Sequence, residues 1–506
     1  MLRIEHKQLS MYSSLYSKIP RNHILKSIDS VVDFSFINDL LASSYCKDFG
    51  RPAKEPEMMC KLLILQRLYN LSDERVIEEA NLNLAYMYFL GLNPEDSLPD
   101  KSLLAKFRCH RLDDVCLDDI MSEVIRQCVE SGIIKGTSVS IDATHIEANT
   151  KKKTPERLMK HLARKIVTIY EEESNMKLDR IEDPPEYEEI ENHNEAKEVM
   201  KSYLYDVIEI VEANLLDETP NTINMIDQAK NIVEDPKFMA QKGTRSMIDL
   251  DARVGCKSKT SNFFGYKTEF MMTTEENIIT SMIVYDGATV DGGKTKEMLE
   301  QTSKSGINIE EVYGDKAYFR KPILDAIREL EATPYIPISY GVYRIDESKY
   351  SYNKDSDEWT CSEGNVTVDK KYYKNKNGNG TREGYRYYFG LDQCKRCSKH
   401  NECAKKTRRK ILNVGINTAE FYEISQEQKA DVFKEKYKKR ASIESKNAEI
   451  KRFHGLNRAK GYSLKSISKQ AKLTALAVNI KRIAAIALSF FQYIRAKTPV
   501  FDIARC

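Results

Sequence analysis

The sequence predicts a mixed α/β protein in which an all-helical N-terminal part is followed by an α/β part that two insertions interrupt. Three observations carry this. Up to about Cys128, apolar residues recur at helical spacing between N-cap and glycine stop signals. From Gly136 onward, short runs rich in β-branched and aromatic residues appear, around Val139 and Ile141, from Phe264 to Met272, from Asn277 to Tyr285 and from Glu311 to Tyr313, with helical text between them. From Thr333 to Phe389 the text turns to Tyr, Asn, Gly and Lys, which reads as short strands and turns. With 506 residues and 41% hydrophobic content, the chain supports two to four modules with buried cores.

In chain order, Glu57 to Tyr69 is an apolar-rich helix. Ser72 caps a second helix with Asp73 and Glu74 in its first turn, and Gly91-Leu-Asn-Pro94 stops the run. Lys101, Lys106, Arg108 and Arg111 share the next short helical stretch, and a further helix runs from about Asp113 to Gly132. Composition leaves two readings open here, a small DNA-binding or dimerising domain and a helical bundle with a charged surface.

Asp142 sits in a strand whose apolar residues alternate with polar ones, and His145 and Glu147 follow it. Pro155 to Lys237 reads as a solvated helical insertion: Glu171 to Lys237 alone carries 20 acidic against 6 basic residues, which argues against a DNA clamp. A hairpin across Thr273-Thr-Glu-Glu276, a connection at Gly287 to Gly293 and a helix from about Thr295 to Ser303 lead to Glu311-Val-Tyr-Gly-Asp315. There an acidic residue lies just past a strand's carboxyl end, where open α/β sheets place their chemistry. A helix from about Lys321 to Leu330 follows.

In the Tyr- and Lys-rich segment the single tryptophan, Trp359, reads as core, with stacking on an unpaired base as the alternative. Cys394, Cys397 and Cys403, with Cys361 upstream, offer the ligands for one tetrahedral zinc; unliganded reduced thiols are the other reading. From Asp431 to the end, 18 Lys/Arg face 5 Asp/Glu, a balance that suits polyanions. On one α-helix, Tyr437, Arg440, Glu444 and Lys451 would fall at about 0°, 300°, 340° and 320°, a narrow stripe, with Glu449 about 140° from Glu444 and dispensable. From spacing alone, this stripe is either a solvated face or a face holding a metal and a phosphate. Arg458 and Lys460 lie in a basic, turn-rich stretch suited to DNA, and a closing helix runs from Ile467 to Gln492. No secretory signal or membrane-spanning segment is expected, and the thinly spread cysteines point to a reducing, cytoplasmic setting.

Tyr437-x2-Arg440-x3-Glu444-x6-Lys451 matches all four positions and all three gaps of the Y-R-E-K signature of bacterial insertion-sequence transposases. The chain resembles the DDE transposases of that group (insertion-sequence family eleven-eighty-two type) over nearly its whole length. Gly50-Arg-Pro-Ala, Leu71-Ser-Asp-Glu-Arg75 and Tyr88-Phe-Leu-Gly-Leu92 resemble phrases of their N-terminal helical domain, Asp249-Leu-Asp-Ala-Arg253 a loop near the site, and Ile141-Asp-Ala-Thr-His-Ile-Glu-Ala-Asn149 and Gly314-Asp315 their first two acidic motifs. The resemblance implies an RNase H-like catalytic domain over residues 133–332 and 426–506, a helical domain at 1–132, an acidic helical insertion at 155–240 and a β-rich, cysteine-bearing insertion at 333–425. It implies that Asp142, Asp315 and Glu444 hold two divalent ions, Mg²⁺ or Mn²⁺, about 3.5–4 Å apart. Arg440 and Lys451 would neutralise phosphates and Tyr437 would orient the strand end. The implied partners are double-stranded DNA, at terminal inverted repeats and target, and a second copy of the chain at paired ends. Two alternatives stay open: a transposon-derived DNA-binding protein that has lost catalysis, and an RNase H-like nuclease without strand transfer.

Overall fold

In the computed structural model the described residues are 8–497, apart from 47–49, 179–180, 216–218, 241–242, 258–259, 378–379 and 405–406. The N-terminal part is helical: α1 (Ile24–Asp29), α2 (Phe36–Leu41), α3 (Pro56–Leu68), α4 (Asp73–Leu82), α5 (Leu84–Phe89), α6 (Lys101–His110) and α7 (Asp114–Glu130). The starts follow from sequence. Ser72 caps α4 by accepting from the Arg75 amide at 3.1 Å, and Asp113 caps α7 by accepting from the Cys116 amide at 2.7 Å.

The central sheet contains β1 (Ser138–Glu147), β2 (Arg253–Cys256), β3 (Asn262–Thr273), β4 (Ile279–Asp286), β5 (Glu311–Tyr313) and β6 (Thr333–Tyr335). The antiparallel strand β3 joins β1 on one edge and β2 and β4 on the other, while β5 and β6 extend the far side in parallel with β1. This is the chain order expected of an RNase H-like domain: strand, hairpin, strand with a trailing aspartate, late helices. Helices α12 (Thr295–Lys304) and α13 (Lys321–Arg328) connect the later strands.

Between β1 and β2, α8 (Pro155–Ser174), α9 (His193–Glu212), α10 (Pro220–Glu234) and α11 (Pro236–Met239) form the acidic insertion. It buries its own core of Leu162, Ile166, Leu204, Val207, Ile226 and their neighbours. The second insertion holds β7 (Tyr350–Asn353), β8 (Glu358–Cys361), β9 (Thr367–Asn377), β10 (Gly380–Phe389), α14 (Leu391–Arg396), α15 (His400–Cys403) and β11 (Ile411–Gly415). Trp359 centres its small core at 0% exposure, packed against Tyr352 and Tyr422. The base-stacking alternative for Trp359 is therefore overturned, because its ring has no free face.

The chain closes with α16 (Thr418–Gln428), α17 (Asp431–Tyr437), a 3₁₀ turn (Lys438–Ala441), α18 (Ser442–Arg452) and α19 (Leu464–Lys497). The interior of α19 from Ala471 to Ala484 is apolar on nearly every side and lies in one continuous core with the N-terminal helices and the sheet. Its deep polar groups are satisfied locally: Thr474 donates to the Gln470 carbonyl at 2.8 Å, and Asn479 accepts from the Ile279 amide at 2.8 Å and donates to the Ile279 carbonyl at 2.6 Å, beside the register shift in β4. The Asp249 to Arg253 segment clasps the start of this helix rather than facing a site. Asp249 accepts from the Tyr266 hydroxyl and the Ser463 amide, and Asp251 accepts from the Leu464 amide at 2.7 Å.

Candidate active site

The parallel register of β1 and β5 pairs Ser138 with Glu311, Val139 with Val312 and Ser140 with Tyr313. Asp142 and Asp315 each stand two residues beyond the last pair and so lie abreast. Gly314 lets the chain pass close to its neighbours, since a Cβ there would stand 3.2 Å from the Ile141 side chain, tighter than ordinary contact. Asp315 then caps the next turn, its Oδ1 accepting from the Ala317 amide at 2.8 Å.

Helix α18 lies along β1 and brings the third carboxylate. Asn447 donates to Asp142 Oδ2 at 2.7 Å, and Arg440 spans two acids, with Nη2 3.5 Å from Asp142 Oδ1 and Nη1 3.3 Å from Glu444 Oε1. Glu444 reaches outward, its side chain 69% exposed, whereas Asp142 and Arg440 are largely buried. Two buried polar atoms here have no partner, Arg440 Nε and Asn447 Oδ1. Burial pushes the Asp142 carboxyl up to about 6; Arg440 opposes that rise, and the charges of Asp315 and Glu444 add to it. Burial also raises the Tyr437 phenol, Arg440 opposing and the charges of Asp315, Asp142 and Glu444 adding. Its hydroxyl is 3.4 Å from the Gly314 carbonyl, and its ring stacks on Phe433.

The Tyr437 to Lys451 stripe is not one α-helix, as the spacing predicts, but α17, a 3₁₀ turn and α18 in succession. The tighter turn eclipses side chains three apart, and Lys436 and Lys439 both pair with Glu311, holding that carboxyl down at about 2 after burial alone would raise it. Tyr437, Arg440 and Lys451 nonetheless pack against the sheet, and Glu444 alone of the four signature side chains reaches outward. Lys451 Nζ is 3.4 Å from His145 Nδ1 and lines a cleft of about 510 Å³ with Lys257, Phe263, Asn447 and Arg452. Burial and Lys257 bring the Lys451 ammonium down to about 8. Arg458 bridges to Glu147 at the far end of β1, and Lys460 lies further on, against the N-terminal helices, where it donates to Asn70. Arg108, in the basic α6, is held by Asp73 with Nη1 at 2.8 Å.

Two residues went unread. Asn447 stands three positions from Glu444, a spacing that places both on one helix face. Glu269, a lone acid in the apolar text of β3, is fully buried, takes hydrogen bonds from Tyr285 at 3.1 Å, Tyr318 at 3.3 Å and the Gly292 amide, and props the turn that carries Asp315.

Among the described residues no three His, Cys, Asp or Glu side chains stand together as a formed metal site. In the trio, the Arg440 guanidinium stands between Asp142 and Glu444. The donor set fits hard divalent ions, since it offers three carboxylates, of which Glu444 is exposed, and the unpartnered Asn447 oxygen. Of the four cysteines, Cys394 is buried beside Trp359 and Phe389, Cys361 packs against the same small core, Cys397 is half-buried and Cys403 is exposed, and among the described residues no three of them stand together as a formed site.

A mixed sheet of this order, with aspartates abreast on neighbouring strands and a cationic helix laid across them, defines an RNase H-like enzyme of polynucleotide chemistry. A family model described as "Transposase DDE domain" matches residues 233–480, and one described as "Transposase domain (DUF772)" matches residues 13–110. The chain belongs to the DDE transposases, enzymes of DNA transposition that depend on divalent metal. Asp315 and Glu444 fall inside the larger match; Asp142 precedes it. Among solved structures, the piggyBac transposase synaptic complex with hairpin DNA aligns at a TM-score of 0.28 and 10% identity, covering 95% of this chain and 82% of that one, a likeness too low to carry weight. Among the described residues no helix is long and apolar enough to cross a membrane.

Proposed function

We propose that Asp142, Asp315 and Glu444 form the catalytic centre and hold two divalent ions, Mg²⁺ or Mn²⁺, for cleavage at transposon ends and strand transfer into target DNA. One observation carries this: register sets Asp142 abreast of Asp315, and Arg440 ties Asp142 to Glu444. Bound divalent ions supply the charge that activates the attacking oxygen, first of water and then of the freed 3′-hydroxyl, and that stabilises the leaving 3′ oxygen. The chain's own groups do the rest. Asn447 fixes the Asp142 carboxylate through Oδ2, and Oδ1, which Arg440 approaches at 3.5 Å, would turn to a cation. Arg440, released from the two acids, pairs with a phosphate beside the scissile bond, and Lys451 takes another in the adjoining cleft. Tyr437, braced by Phe433 over Gly314, packs against the strand end.

The test replaces Asp142 or Asp315 by Asn. Nicking and strand transfer on a labelled terminal-repeat duplex should fall by several orders of magnitude, and the rise in melting temperature on adding Mg²⁺ should shrink, while duplex binding survives. Either variant cutting at the wild-type rate overturns the assignment. A wild-type chain that binds ends but never cuts, whichever divalent ion is added, favours the relic reading, which the intact trio opposes.

A further inference from the structure

A second cleft, of about 970 Å³, opens where α3, α4 and α6 meet the turn before α19. Five cations line it, Arg67, Arg108, Lys460, Lys465 and Lys469, against one carboxylate, Asp73. That carboxylate is already spoken for, because Arg108 holds it through both nitrogens and Gln66 donates to it as well. Arg67 is the anomaly. It is 6% exposed, and its Nε is buried without a hydrogen-bond partner. Burial and the neighbouring Arg108 bring it down to about 10 against the opposing charge of Asp73, and burial and Arg67 bring Lys460 down to about 8. A buried guanidinium is costly unless an anion answers it, and the lining carboxylate that acts on Arg67, Asp73, is already engaged by Arg108 and Gln66.

We propose that this cleft is a phosphate-binding site that takes a backbone phosphodiester of DNA at a distance from the scissile bond. Arg67 forms its floor. Lys460 and Lys465 form its rim, and the exposed Tyr462 beside them offers a ring to a sugar or base. The placement suits a continuous track. Five residues of β1, roughly 17 Å, separate Asp142 from Glu147; Lys451 lies beside that strand, Arg458 bridges its end, and Lys460 enters the cleft two residues later. At roughly 3.4 Å of duplex per nucleotide along one strand, the site would hold a phosphate at least about five nucleotides from the reacting one. Because a phosphodiester is the same in every sequence, the contact would add affinity and position without reading bases.

The inference rests on DNA as the partner of the candidate active site, and the test separates the two. Binding of a duplex of arbitrary sequence, about 30 base pairs long, is measured against salt in EDTA, where a metal-dependent centre is silent. Lys460→Gln and Lys465→Gln should each lower the slope of log affinity against log salt by roughly one, and the pair by roughly two. Lys296→Gln, exposed and far along the chain, should leave the slope unchanged. Arg67→Gln should act like the rim variants; if it fails to fold, the two rim variants decide alone. Inorganic phosphate should raise the melting temperature of the wild type and less that of Lys460→Gln. Unchanged slopes with the phosphate effect intact mean a site for free anions only and overturn the DNA assignment. Unchanged slopes with no phosphate effect overturn the site. Neither result touches the catalytic trio, whose readout is cleavage.

Discussion

Glu444→Gln separates a catalytic from a structural role because the two predict effects of different size. The side chain is 69% exposed and its one ion pair, to Arg440 four residues earlier, is long at 3.3 Å. An exposed pair of that spacing contributes about 0.3–0.5 kcal/mol to folding, and Arg440 retains Asp142 when it is lost. The substitution should therefore leave the melting temperature within about 1 °C. If Glu444 helps hold the ions, exchanging its charge for an amide of the same shape should slow nicking at least about a thousandfold, equivalent to about 4 kcal/mol in the barrier. The catalytic effect would exceed the folding effect roughly eightfold. The assay uses a labelled terminal-repeat duplex with Mg²⁺, alongside thermal unfolding with and without the ion and binding in EDTA. Nicking at the wild-type rate, or a loss of nicking matched by a comparable loss of folding stability, would refute the reasoning.

Two more outcomes follow from the surrounding charges. Lys451 titrates near 8 in the fold, below the ordinary lysine value, so its neutral form is favoured; that stabilisation is present above pH 10.5 and is lost as pH falls through about 8. A bound phosphate restores the cation, so DNA affinity should decline between about pH 7 and 9, by up to about tenfold for this contact, and Lys451→Arg should make that decline shallower; equal steepness in both proteins would exclude Lys451 from the interface. Glu449, which helical geometry marks as dispensable, pairs instead with the buried Lys446 at 2.8 Å and with Lys481 on α19 at 2.9 Å. Glu449→Gln leaves that ammonium without its charge partner and should cost about 1–3 kcal/mol in urea unfolding while end binding persists; a loss below about 0.5 kcal/mol would contradict the pairing.

What the sequence discloses about this site follows from how far apart its determinants lie. Arg440, Glu444 and Asn447 sit within two turns, so helical spacing suffices to place them together, and Asn447 was within reach of the same rule. Asp142 and Asp315 are legible as strand acids, but that they lie abreast depends on the β1 and β5 register, which local text does not specify. The 3₁₀ turn is less legible still, because Lys436 and Lys439 converge on Glu311 well over a hundred residues away. The cysteines are only partly legible for a related reason: their spacing suits zinc, but burial of Cys394 beside Trp359 is decided by strands on either side of it. Continuity of the core is likewise invisible, since α19 reads as a closing helix and not as the element that joins the N-terminal helices to the sheet. Arg67 is the extreme case. In the text it is one cation in the last turn of an apolar helix, where a positive charge favours the helix dipole and invites no comment. Only when Lys460, nearly four hundred residues later, folds against the same turn does its buried charge, offset by an Asp73 that Arg108 already holds, become a reason to look for an anion.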